Sequence, residues 1–247
     1  MKESFFRTAM LLGPEAEGVL SRAHAVVFGA GGVGGHACDA LCRCGVGRLT
    51  VVDPAKVKAS NLNRQLCAKK NTLGMLKTDA IREHIESVSD CSVTSVPVFV
   101  TAENASSLIP GDADVVIDAV DNVTAKLALI IACKQRGIPV LSSMGAGNRL
   151  DPTAVRIADI YSTSVDPLAR VMRRELRARG VKNLKVVYSV EEPKQPVIEA
   201  PDPESRRSTP ASVPFVPSVF GITLAAEAVN TILEKEDQPC SEQQLKK

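Results

Sequence analysis

The chain has 247 residues, of which 45% are hydrophobic, and its formal net charge is +2. This length is enough to bury an α/β core in one domain, and the near-neutral charge excludes a protein that binds polyanions through overall charge alone. The seven cysteines form no C-x-x-C pair, which argues against a structural zinc site and favours a reducing compartment, expected to be the cytoplasm.

Residues 1–22 are predicted to form a helical arm of two short pieces separated by Gly13-Pro14. The arm lacks the uninterrupted apolar stretch of a secretory signal. Arg7 follows Phe5 and Phe6, whose aromatic rings favour burial. Taken alone, Arg7 is interpreted as a solvated arginine.

A glycine-rich turn follows the first predicted strand, Ala25 to Phe28. In the motif Gly29-x-Gly31-x-x-Gly34, the first glycine permits the turn, the second lets backbone approach a phosphate, and the third lets the next helix pack closely. That helix would present free N–H groups to the phosphate. Asp53 ends the second strand, where a carboxylate can accept a hydrogen bond from a ribose hydroxyl. The pattern predicts a nucleotide site; the alternative is an ordinary βαβ unit whose glycines serve packing.

Two cations follow this unit. Residues 60–65, Ser-Asn-Leu-Asn-Arg-Gln, show no clean period and are predicted to form a loop beyond the carboxyl end of the second strand, where open parallel sheets bind ligands. Lys77 begins the next amphipathic helix. A cation in the first turn is disfavoured by the helix dipole unless an anion binds there. Arg64 and Lys77 are therefore candidate phosphate ligands; otherwise both are surface charges.

A carboxylate marks the end of a further strand. Asp121-Asn122 closes the strand predicted at 114–120 and begins a helix over 123–135. A carboxylate beside a nucleotide crevice suits Mg²⁺, which prefers oxygen ligands, and both residue types also favour helix N-caps. The two roles are compatible. Other strands are predicted at 93–100, 139–142, 154–160 and 184–189, and the glycine-rich residues 143–148 form another loop.

The second half of the chain carries a basic helix. Asp166-Pro167 is predicted to cap a helix that runs to Arg179. Four of its arginines are spaced by three or four residues and share one face, which favours contact with a phosphate backbone although such a face is usually only solvated. These are Arg170, Arg173, Arg174 and Arg177.

The last elements are a long loop, an apolar helix and a tail. Residues 191–212 are rich in proline and charge and are predicted to form a mobile crossover loop. The apolar stretch 213–233 contains two prolines, Glu227 and Asn230, so it predicts a buried terminal helix over 216–233 and no membrane span. Residues 234–247 form a polar tail. Together, these elements predict an α/β fold with a Rossmann-like, mostly parallel, doubly wound sheet and a C-terminal extension.

Five spaced motifs resemble the ThiF-like adenylating enzymes, the superfamily of ubiquitin-activating enzymes and of the ThiF and MoeB proteins. They cover roughly residues 5 to 233 and are far more specific together than the glycine motif alone. The stretches 142–153, 159–181 and 213–217 resemble the tRNA threonylcarbamoyladenosine dehydratase branch. The motifs are Gly29-x-Gly31-Gly32-Val33-Gly34, Asp53, Ser60-Asn61-x-x-Arg64-Gln65, Gly74-x-x-Lys77 and Asp118-x-x-Asp121-Asn122.

The resemblance implies one adenylating domain over 1–247, with arm 1–22, nucleotide core 23–150 and substrate-side extension 151–233. It implies ATP and Mg²⁺ as cofactors and tRNA as substrate: ATP adenylates a carboxylate, and the carbamoyl nitrogen then closes a cyclic hydantoin. It also implies a homodimer in which Arg7 reaches the partner's phosphates, and sulfur-relay proteins among its partners. The implied nucleotide ligands are Gly29, Gly31, Gly34, Asp53, Asn61, Arg64, Gln65, Lys77, Asp121 and Asn122, with Asp121 on the metal.

The chain departs from many members of this superfamily in its cysteines. Residues 183–239 contain none, and Cys240 lies in the tail, which argues against a thioester or acyl-disulfide route. Two other classes of function remain open. One is adenylation of the C-terminus of a small sulfur-carrier or ubiquitin-like protein, and the other is an NAD-binding oxidoreductase, which would not need the set Arg64, Lys77 and Asp121.

Overall fold

A seven-stranded sheet forms the centre of the protein in the computed structural model, which describes residues 2–198 and 210–237. The strands alternate with helices along the chain, as expected for a doubly wound fold. The strands are β1 (His24–Phe28), β2 (Arg48–Val52), β3 (Ser92–Val96), β4 (Val115–Asp118), β5 (Val140–Ser143), β6 (Val155–Asp159) and β7 (Lys185–Ser189).

The strand order is β3-β2-β1-β4-β5-β7-β6, and every pair is parallel except β6 with β7. The order reverses between β1 and β4, so the chain crosses to opposite sides of the sheet there. This reversal opens a crevice beyond the carboxyl ends of the two strands, where such folds bind their ligands. The predicted Rossmann-like, mostly parallel sheet is confirmed.

Helices cover both faces of the sheet. On one face, α3 and α7 pack against each other with α2; on the other face, α5 and α6 bury the apolar sides of β4, β5 and β7. Because both faces are covered, β1 is buried at every position and is almost wholly apolar. The helices are α1 (Phe6–Leu12), α2 (Glu15–Arg22), α3 (Gly34–Arg43), α4 (Lys77–Glu86), α5 (Val123–Gln135), α6 (Pro167–Ala178) and α7 (Phe215–Asp237). Short 3-10 turns lie at Glu3–Phe5, Ala59–Asn61, Lys70–Thr72, Pro152–Ala154 and Ile160–Ser162.

Two predicted boundaries were wrong. The third strand ends at Val96 and does not continue to Val100, because Pro97 has no N–H to pair and Val98 N donates to the Val96 carbonyl in a tight turn. The last helix does not stop at 233 before a polar tail. It continues to Asp237, and Lys235 in its last turn pairs with Asp114, just before β4, at 3.1 Å. The remaining elements begin and end within two residues of their predicted bounds.

The helix α7 is long and apolar enough to cross a membrane by length and composition. Half of its apolar window is nevertheless buried inside the protein, and Val216, Phe220 and Leu224 lie in the core against α3. This packing agrees with the predicted buried terminal helix.

The crossover loop predicted at 191–212 is described only in part, because residues 199–209 lie outside the described residues, as do residues 238–247 of the predicted tail. The described ends of the loop are tied to one place. Lys194 N donates to the Asn148 carbonyl, and Ala211 N donates to the Asn148 side-chain oxygen. Both ends of the crossover therefore meet the loop that follows β5.

Candidate active site

The glycine-rich turn lies at the carboxyl end of β1, in the crevice. A Cβ on Gly34 would lie 1.8 Å from the Gly29 carbonyl oxygen, so only glycine lets α3 begin this close to β1. Gly29 itself has φ +93° and carries the turn. A Cβ on Gly31, by contrast, would meet nothing within 4 Å. Gly34 thus serves packing, Gly29 carries the turn, and Gly31 leaves open space at the helix N-terminus.

Asp53 braces this turn from the end of β2. Its buried carboxylate accepts hydrogen bonds from Ala30 N at 2.7 Å and from Ala55 N at 2.8 Å, one on each oxygen. Each oxygen has a further lone pair, so the carboxylate can also accept a hydroxyl hydrogen. The predicted ribose contact stays a prediction, and a bracing role, which the sequence did not indicate, is added to it.

The loop of residues 60–65 lies over the glycine turn. Arg64 Cγ would be 3.5 Å from a Cβ on Gly32, and the Arg64 guanidinium donates to the Ser60 carbonyl and to the Asn63 side-chain oxygen but to no carboxylate among the described residues. Arg64 therefore enters the crevice with its positive charge uncompensated by a neighbouring acid.

Two amides of this loop differ in their roles. Asn61 is buried, and its side-chain oxygen accepts a hydrogen bond from Lys58 N, which fixes the loop. Gln65 is also buried, but its Oε1 has no hydrogen-bond partner within the described residues. A buried acceptor without a donor costs free energy until a ligand or water supplies one. Gln65 is therefore suited to bind a ligand, whereas Asn61 shapes the loop.

Lys77 begins α4 beside the same turn. It is half-buried, its backbone N–H donates to the Ala55 carbonyl at 2.9 Å, and its ammonium makes no hydrogen bond or ion pair to any described residue. Burial raises the pKa of the nearby Cys67 thiol, and the positive charge of Lys77 opposes that rise, which places the ammonium close to Cys67. The Cys67 thiol in turn contacts the Ala30 carbonyl of the glycine turn at 3.9 Å. The second predicted phosphate cation thus lies at the turn without a counter-ion from the described part of the chain.

Asp121 and Asn122 were predicted to serve as a Mg²⁺ ligand and as a helix N-cap, and the structure assigns the N-cap to Asn122. The Asn122 side-chain oxygen accepts a hydrogen bond from Ala125 N at 3.0 Å, so Asn122 is the N-cap of α5. Asp121 is exposed and its carboxylate has no partner among the described residues. These residues contain no cluster of three or more His, Cys, Asp or Glu that could hold a metal. Proteins commonly bind Mg²⁺ with one carboxylate, while phosphate oxygens and water complete the coordination, and the single carboxylate of Asp121 fits this arrangement.

Sequence reasoning missed a buried ion pair beneath Asp121. The Lys126 ammonium donates to Asp118 Oδ2 at 2.9 Å, and the Ser142 hydroxyl donates to the same oxygen at 2.6 Å; both charges are almost fully buried. The pair joins β4, α5 and β5 at the floor of the crevice. Its signal was present in the sequence, because Lys126 is the one charge between Val123 and Cys133 of an otherwise apolar helix.

A second buried ion pair lies on the far side of the crevice. Arg149 donates to Asp166 Oδ2 at 2.9 Å and to the Gly145 carbonyl, and it also contacts the Glu191 carbonyl. Asp166 accepts a hydrogen bond from Ala169 N, which confirms it as the N-cap of α6. Arg149 therefore joins the glycine-rich loop after β5, the start of α6 and the start of the crossover. No sequence signal singled out this arginine.

The four predicted tRNA-binding arginines share a side of α6 but differ in their partners. Arg170 is exposed, whereas Arg173 is half-buried and donates to the Thr163 carbonyl. Arg174 pairs with Glu175 at 2.9 Å, and the Arg177 guanidinium lies over the Tyr161 ring, 5.1 Å from its centroid. Within the described residues, Arg170 and Arg177 are the exposed arginines of this set that have no acidic partner, and the RNA contact of the whole set stays a prediction.

Arg7 lies away from the crevice within one chain. Phe5 is buried, and its ring packs on Gly45, just past the C-terminal end of α3. Because α3 begins at the glycine turn and has 10 residues, this end is about 15 Å from the turn. The Phe6 side chain, whose ring also favours burial, is 52% exposed within the single chain. It forms an exposed apolar strip with Met10 and Leu11.

The described cysteines share a raised thiol pKa. Burial raises the pKa of every one of them, to about 12 for Cys42 and Cys133 and to about 11 for Cys91. A thiol whose pKa is raised stays protonated near neutral pH and is a poor nucleophile. This agrees with chemistry that forms no covalent bond to the described thiols.

Comparison with known proteins shows which family the chain resembles in sequence and in fold. The ThiF family model matches residues 6–246. The tRNA threonylcarbamoyladenosine dehydratase of Bacillus subtilis (strain 168) is 36% identical over 244 residues, which cover 95% of this chain and 96% of the relative. The sulfur carrier protein ThiS adenylyltransferase of the same organism is 36% identical over 140 residues, covering 56% of this chain and 41% of the relative.

Solved structures agree with the sequence relatives. The crystal structure of Escherichia coli tRNA N6-threonylcarbamoyladenosine dehydratase, TcdA, in complex with ATP superposes with a TM-score of 0.86 at 32% identity, covering 95% of each chain. The AMP complex superposes with a TM-score of 0.87 at 31% identity, covering 96% of each chain. The glycine turn, the uncompensated cations and the match over residues 6–246 together lead to one conclusion. The chain belongs to the ThiF family.

Proposed function

We propose that this protein is an ATP-dependent tRNA threonylcarbamoyladenosine dehydratase. It adenylates the carboxylate of the threonylcarbamoyl group on a tRNA adenosine and closes the group into a cyclic hydantoin. The observation that carries the proposal is the full-length similarity to the Bacillus subtilis dehydratase, at 36% identity over 95% of this chain. The site supports it with open space at Gly31 and unpaired cations around that space.

ATP would bind with its phosphates at the N-terminus of α3. The open position at Gly31 admits a phosphate, and the helix N-terminus supplies N–H groups and the positive end of the helix dipole. Asp53 would accept a hydrogen bond from a ribose hydroxyl, and the unpaired Gln65 Oε1 would gain a donor from the nucleoside. The pocket thus gains hydrogen bonds that the free protein lacks.

The first chemical step is transfer of AMP to the substrate. A carboxylate oxygen attacks the α-phosphorus, the bond to the β-phosphoryl oxygen breaks, and pyrophosphate leaves with the electron pair. Arg64 and Lys77 would neutralise the charge on the departing phosphates, which positioned cations do at low cost in a protein site. Asp121 would hold Mg²⁺, which supplies Lewis-acid stabilisation of phosphate oxygens when bound.

The second step is ring closure. The carbamoyl nitrogen attacks the activated carbonyl carbon, the bond from that carbon to the phosphate oxygen breaks, and AMP leaves while the nitrogen loses its proton to solvent. The nucleophile is already tethered to the carbonyl, so its effective concentration is high and the protein needs no nucleophile of its own. The raised pKa values of the described cysteines are in keeping with this route.

The complete enzyme in this proposal is a cytoplasmic homodimer. Phe5, two residues before Arg7, packs at the end of α3 that lies about 15 Å from the glycine turn of the same chain. Arg7 has no acidic partner among the described residues and stands beside the exposed apolar strip of Phe6, Met10 and Leu11. Such a strip suits a two-fold interface, where the same surface serves both chains. Arg7 would then reach the phosphates bound by the partner.

Adenylation of a sulfur-carrier protein, with sulfur-relay partners, is the second candidate. The similarity to the ThiS adenylyltransferase favours it, but that similarity covers only 56% of this chain. The absence of cysteine from residues 183–239 counts against a transfer step that needs a thiol there. A carrier protein with a C-terminal Gly-Gly should therefore stimulate no AMP formation.

Mass analysis of tRNA nucleosides tests the proposal. The protein is incubated with ATP, Mg²⁺ and tRNA that carries threonylcarbamoyladenosine, and the nucleosides are then released. We expect loss of one water from this nucleoside, with one AMP formed for each ring closed. Matched tRNA without the threonylcarbamoyl group should yield no AMP. Intact nucleoside after prolonged incubation, or tight NAD binding without ATP binding, would overturn the proposal.

A further inference from the structure

We propose that a groove at the C-terminal ends of α5 and α6 binds backbone phosphates of the tRNA, away from the reacting nucleoside. The inference rests on the proposed tRNA substrate and adds a second contact region to it. The groove has a volume of about 350 Å³ and is open to solvent. We call it the α5–α6 groove; it is lined by Ile131, Lys134, Gln135, Arg179, Gly180, Val181, Lys182 and Asn183.

The first observation is that the Lys134 ammonium has no carboxylate as its hydrogen-bond partner. The Lys134 side chain lies along the groove, and its Nζ donates to the neutral Asn183 side-chain oxygen at 2.8 Å. Although much of the residue is open to solvent, partial desolvation lowers the pKa of Lys134, which means that the site disfavours its positive charge. A partly desolvated cation in a concave surface gains most from an incoming anion.

The second observation is that neither helix end uses the Lys134 or Lys182 side chain as a cap. Basic residues often bind the last carbonyls of a helix. Here the backbone N–H groups of Arg136, Gly137 and Ile138 donate to the last turn of α5, and those of Arg179, Gly180 and Val181 donate to the last turn of α6. The Arg179 guanidinium also binds the Glu175 carbonyl of α6. The side chains of Lys134 and Lys182 are therefore not explained as helix caps.

Two acids lie near the groove, and neither neutralises it. Both oxygens of Asp159 already accept backbone hydrogen bonds, from Tyr161 N and Leu184 N, although its charge does favour the charged form of Lys134. Glu175 pairs with Arg179 and is shared with Arg174. Lys134 and Lys182 are left without an acidic hydrogen-bond partner among the described residues, so a phosphate is the fitting ligand.

The groove is in line with the candidate active site. Both helices begin at the crevice, α5 after Asn122 and α6 after Asp166, and both end at the groove. With 13 and 12 residues they span about 18 to 20 Å. The exposed Arg170 and Arg177 lie between the two sites on α6. A polynucleotide whose reacting base lies in the crevice can therefore follow α6 to the groove.

Salt-dependent tRNA binding tests the groove. The double variant Lys134→Gln/Lys182→Gln is compared with Arg43→Gln/Arg82→Gln, which removes the same charge from α3 and α4 on the opposite face of the sheet. We expect the groove variant to bind tRNA roughly tenfold more weakly at physiological salt and to lower the slope of log K against log[salt] by about 0.7 to 0.9 for each phosphate that it no longer neutralises. The control variant should match the parent protein.

Two further measurements locate the effect. In the groove variant the KM for ATP and the kcat at saturating tRNA should stay unchanged, while the KM for tRNA rises. A trinucleotide centred on the modified adenosine extends by a single nucleotide to either side, so it ends short of a groove about 18 Å away, and parent and variant should bind it equally. An equally large weakening with the trinucleotide would overturn the groove, because the lysines would then act on the crevice.

The outcomes separate this inference from the proposed function. If the parent protein closes the ring but the groove variant binds tRNA like the control variant, the groove is withdrawn and the dehydratase proposal stands. If no ring closes but tRNA affinity and salt slope still fall in the groove variant alone, the groove stands and the reaction is withdrawn. A parent protein that binds no tRNA overturns the groove.

Discussion

The two edges of the sheet are both charged, but they use their charges differently. At the amino edge, where the strands begin, Asp112 pairs with Arg48 and His24, and Lys235 pairs with Asp114. Four of these residues, Arg48, Asp112, Asp114 and Lys235, line a cavity of about 450 Å³. At the carboxyl edge, the Lys77 ammonium, the Asp121 carboxylate and the Gln65 side-chain oxygen have no partners among the described residues.

This difference teaches that pairing indicates function better than concavity does. A paired charge at the amino edge is satisfied by the fold, so it has little free energy to gain from a ligand. An unpaired cation, carboxylate or buried amide at the carboxyl edge is satisfied only when a ligand of opposite character binds. The ATP site is therefore expected at the edge with unpaired groups, although a clear cavity lies at the other.

The largest expected effect comes from an unpaired group at the carboxyl edge. Asp121→Ala should abolish AMP formation, because it removes the carboxylate that we propose as the Mg²⁺ ligand. Its exposed side chain has no partner to lose among the described residues, so the free energy of unfolding should change by no more than about 0.5 kcal/mol. AMP release and urea unfolding measure the two quantities. Full activity at saturating Mg²⁺ would show that another group holds the metal.

Lys126 sharpens the comparison because it is a paired charge at the same edge. Lys126→Met should lower the free energy of unfolding by about 3 to 5 kcal/mol, since it leaves the Asp118 carboxylate buried without its cation. Urea unfolding measures the loss. The double variant Lys126→Met/Asp118→Asn should recover part of it, because the buried negative charge is gone. A loss below about 1 kcal/mol in the single variant would contradict the assigned ion pair.

Arg7 can contradict the rule that unpaired charges mark the functional edge of the sheet. It is a cation without an acidic partner among the described residues, yet it lies outside the carboxyl edge. Arg7→Ala should lower adenylation about a hundredfold, as loss of one transition-state ligand commonly does, and leave the dimer intact by size-exclusion chromatography. If Arg7 acts on the partner's ATP, mixing this variant with Asp121→Ala should restore activity.

The mixing experiment has a defined yield. Random exchange makes about half of the dimers mixed, and each mixed dimer holds one intact site of two, so about a quarter of parent activity should return. Mixing Arg7→Ala with itself is the matched control. No recovery after confirmed subunit exchange would place the action of Arg7 within its own chain, and a monomeric parent protein would remove the interface altogether.

The smallest effect is expected from a paired charge at the amino edge. Hydrogen bonds from Arg48, and then from His24, lower the pKa of Asp112 to about 2. A carboxylate whose pKa is lowered by folding stabilises the protein above its unfolded pKa, about 3.9, and loses that effect as pH falls toward the folded value. Because its side chain is 55% exposed, Asp112→Asn should cost less than about 1 kcal/mol at neutral pH.

Urea unfolding checks this sign when it is measured near neutral pH and again in acid, at a pH between the folded and unfolded pKa values of Asp112. The difference between parent protein and Asp112→Asn should be larger near neutral pH and should shrink in acid. Asp90→Asn is a matched control, since Asp90 pairs with the exposed Lys2. An equal difference under both conditions would mean that the carboxylate charge of Asp112 contributes nothing to stability.

The glycine turn, the helix caps and the strand alternation could be predicted because each depends on neighbours within a few residues. Gly29, Gly31 and Gly34 determine one turn by their spacing, and Asn122 and Asp166 cap the helices that follow them directly. The same local logic placed Arg64 and Lys77 after the correct strands. It failed after β3, where Pro97 ends the strand, and at the end of α7, where the helix runs on to Asp237 and Lys235 pairs with the distant Asp114.

Which charges are paired was decided only by the tertiary structure. Asp118 and Ser142 meet because β4 and β5 are adjacent in the sheet, Arg149 meets Asp166 across 17 residues, and Arg48 meets Asp112 across 64. The free energy of a charge depends on its burial and on its nearest opposite charge, and both are properties of the packed strands and helices rather than of a local stretch. The sequence alone therefore determined which residue types reach the carboxyl edge, and the packing determined which of them stay unpaired for a ligand.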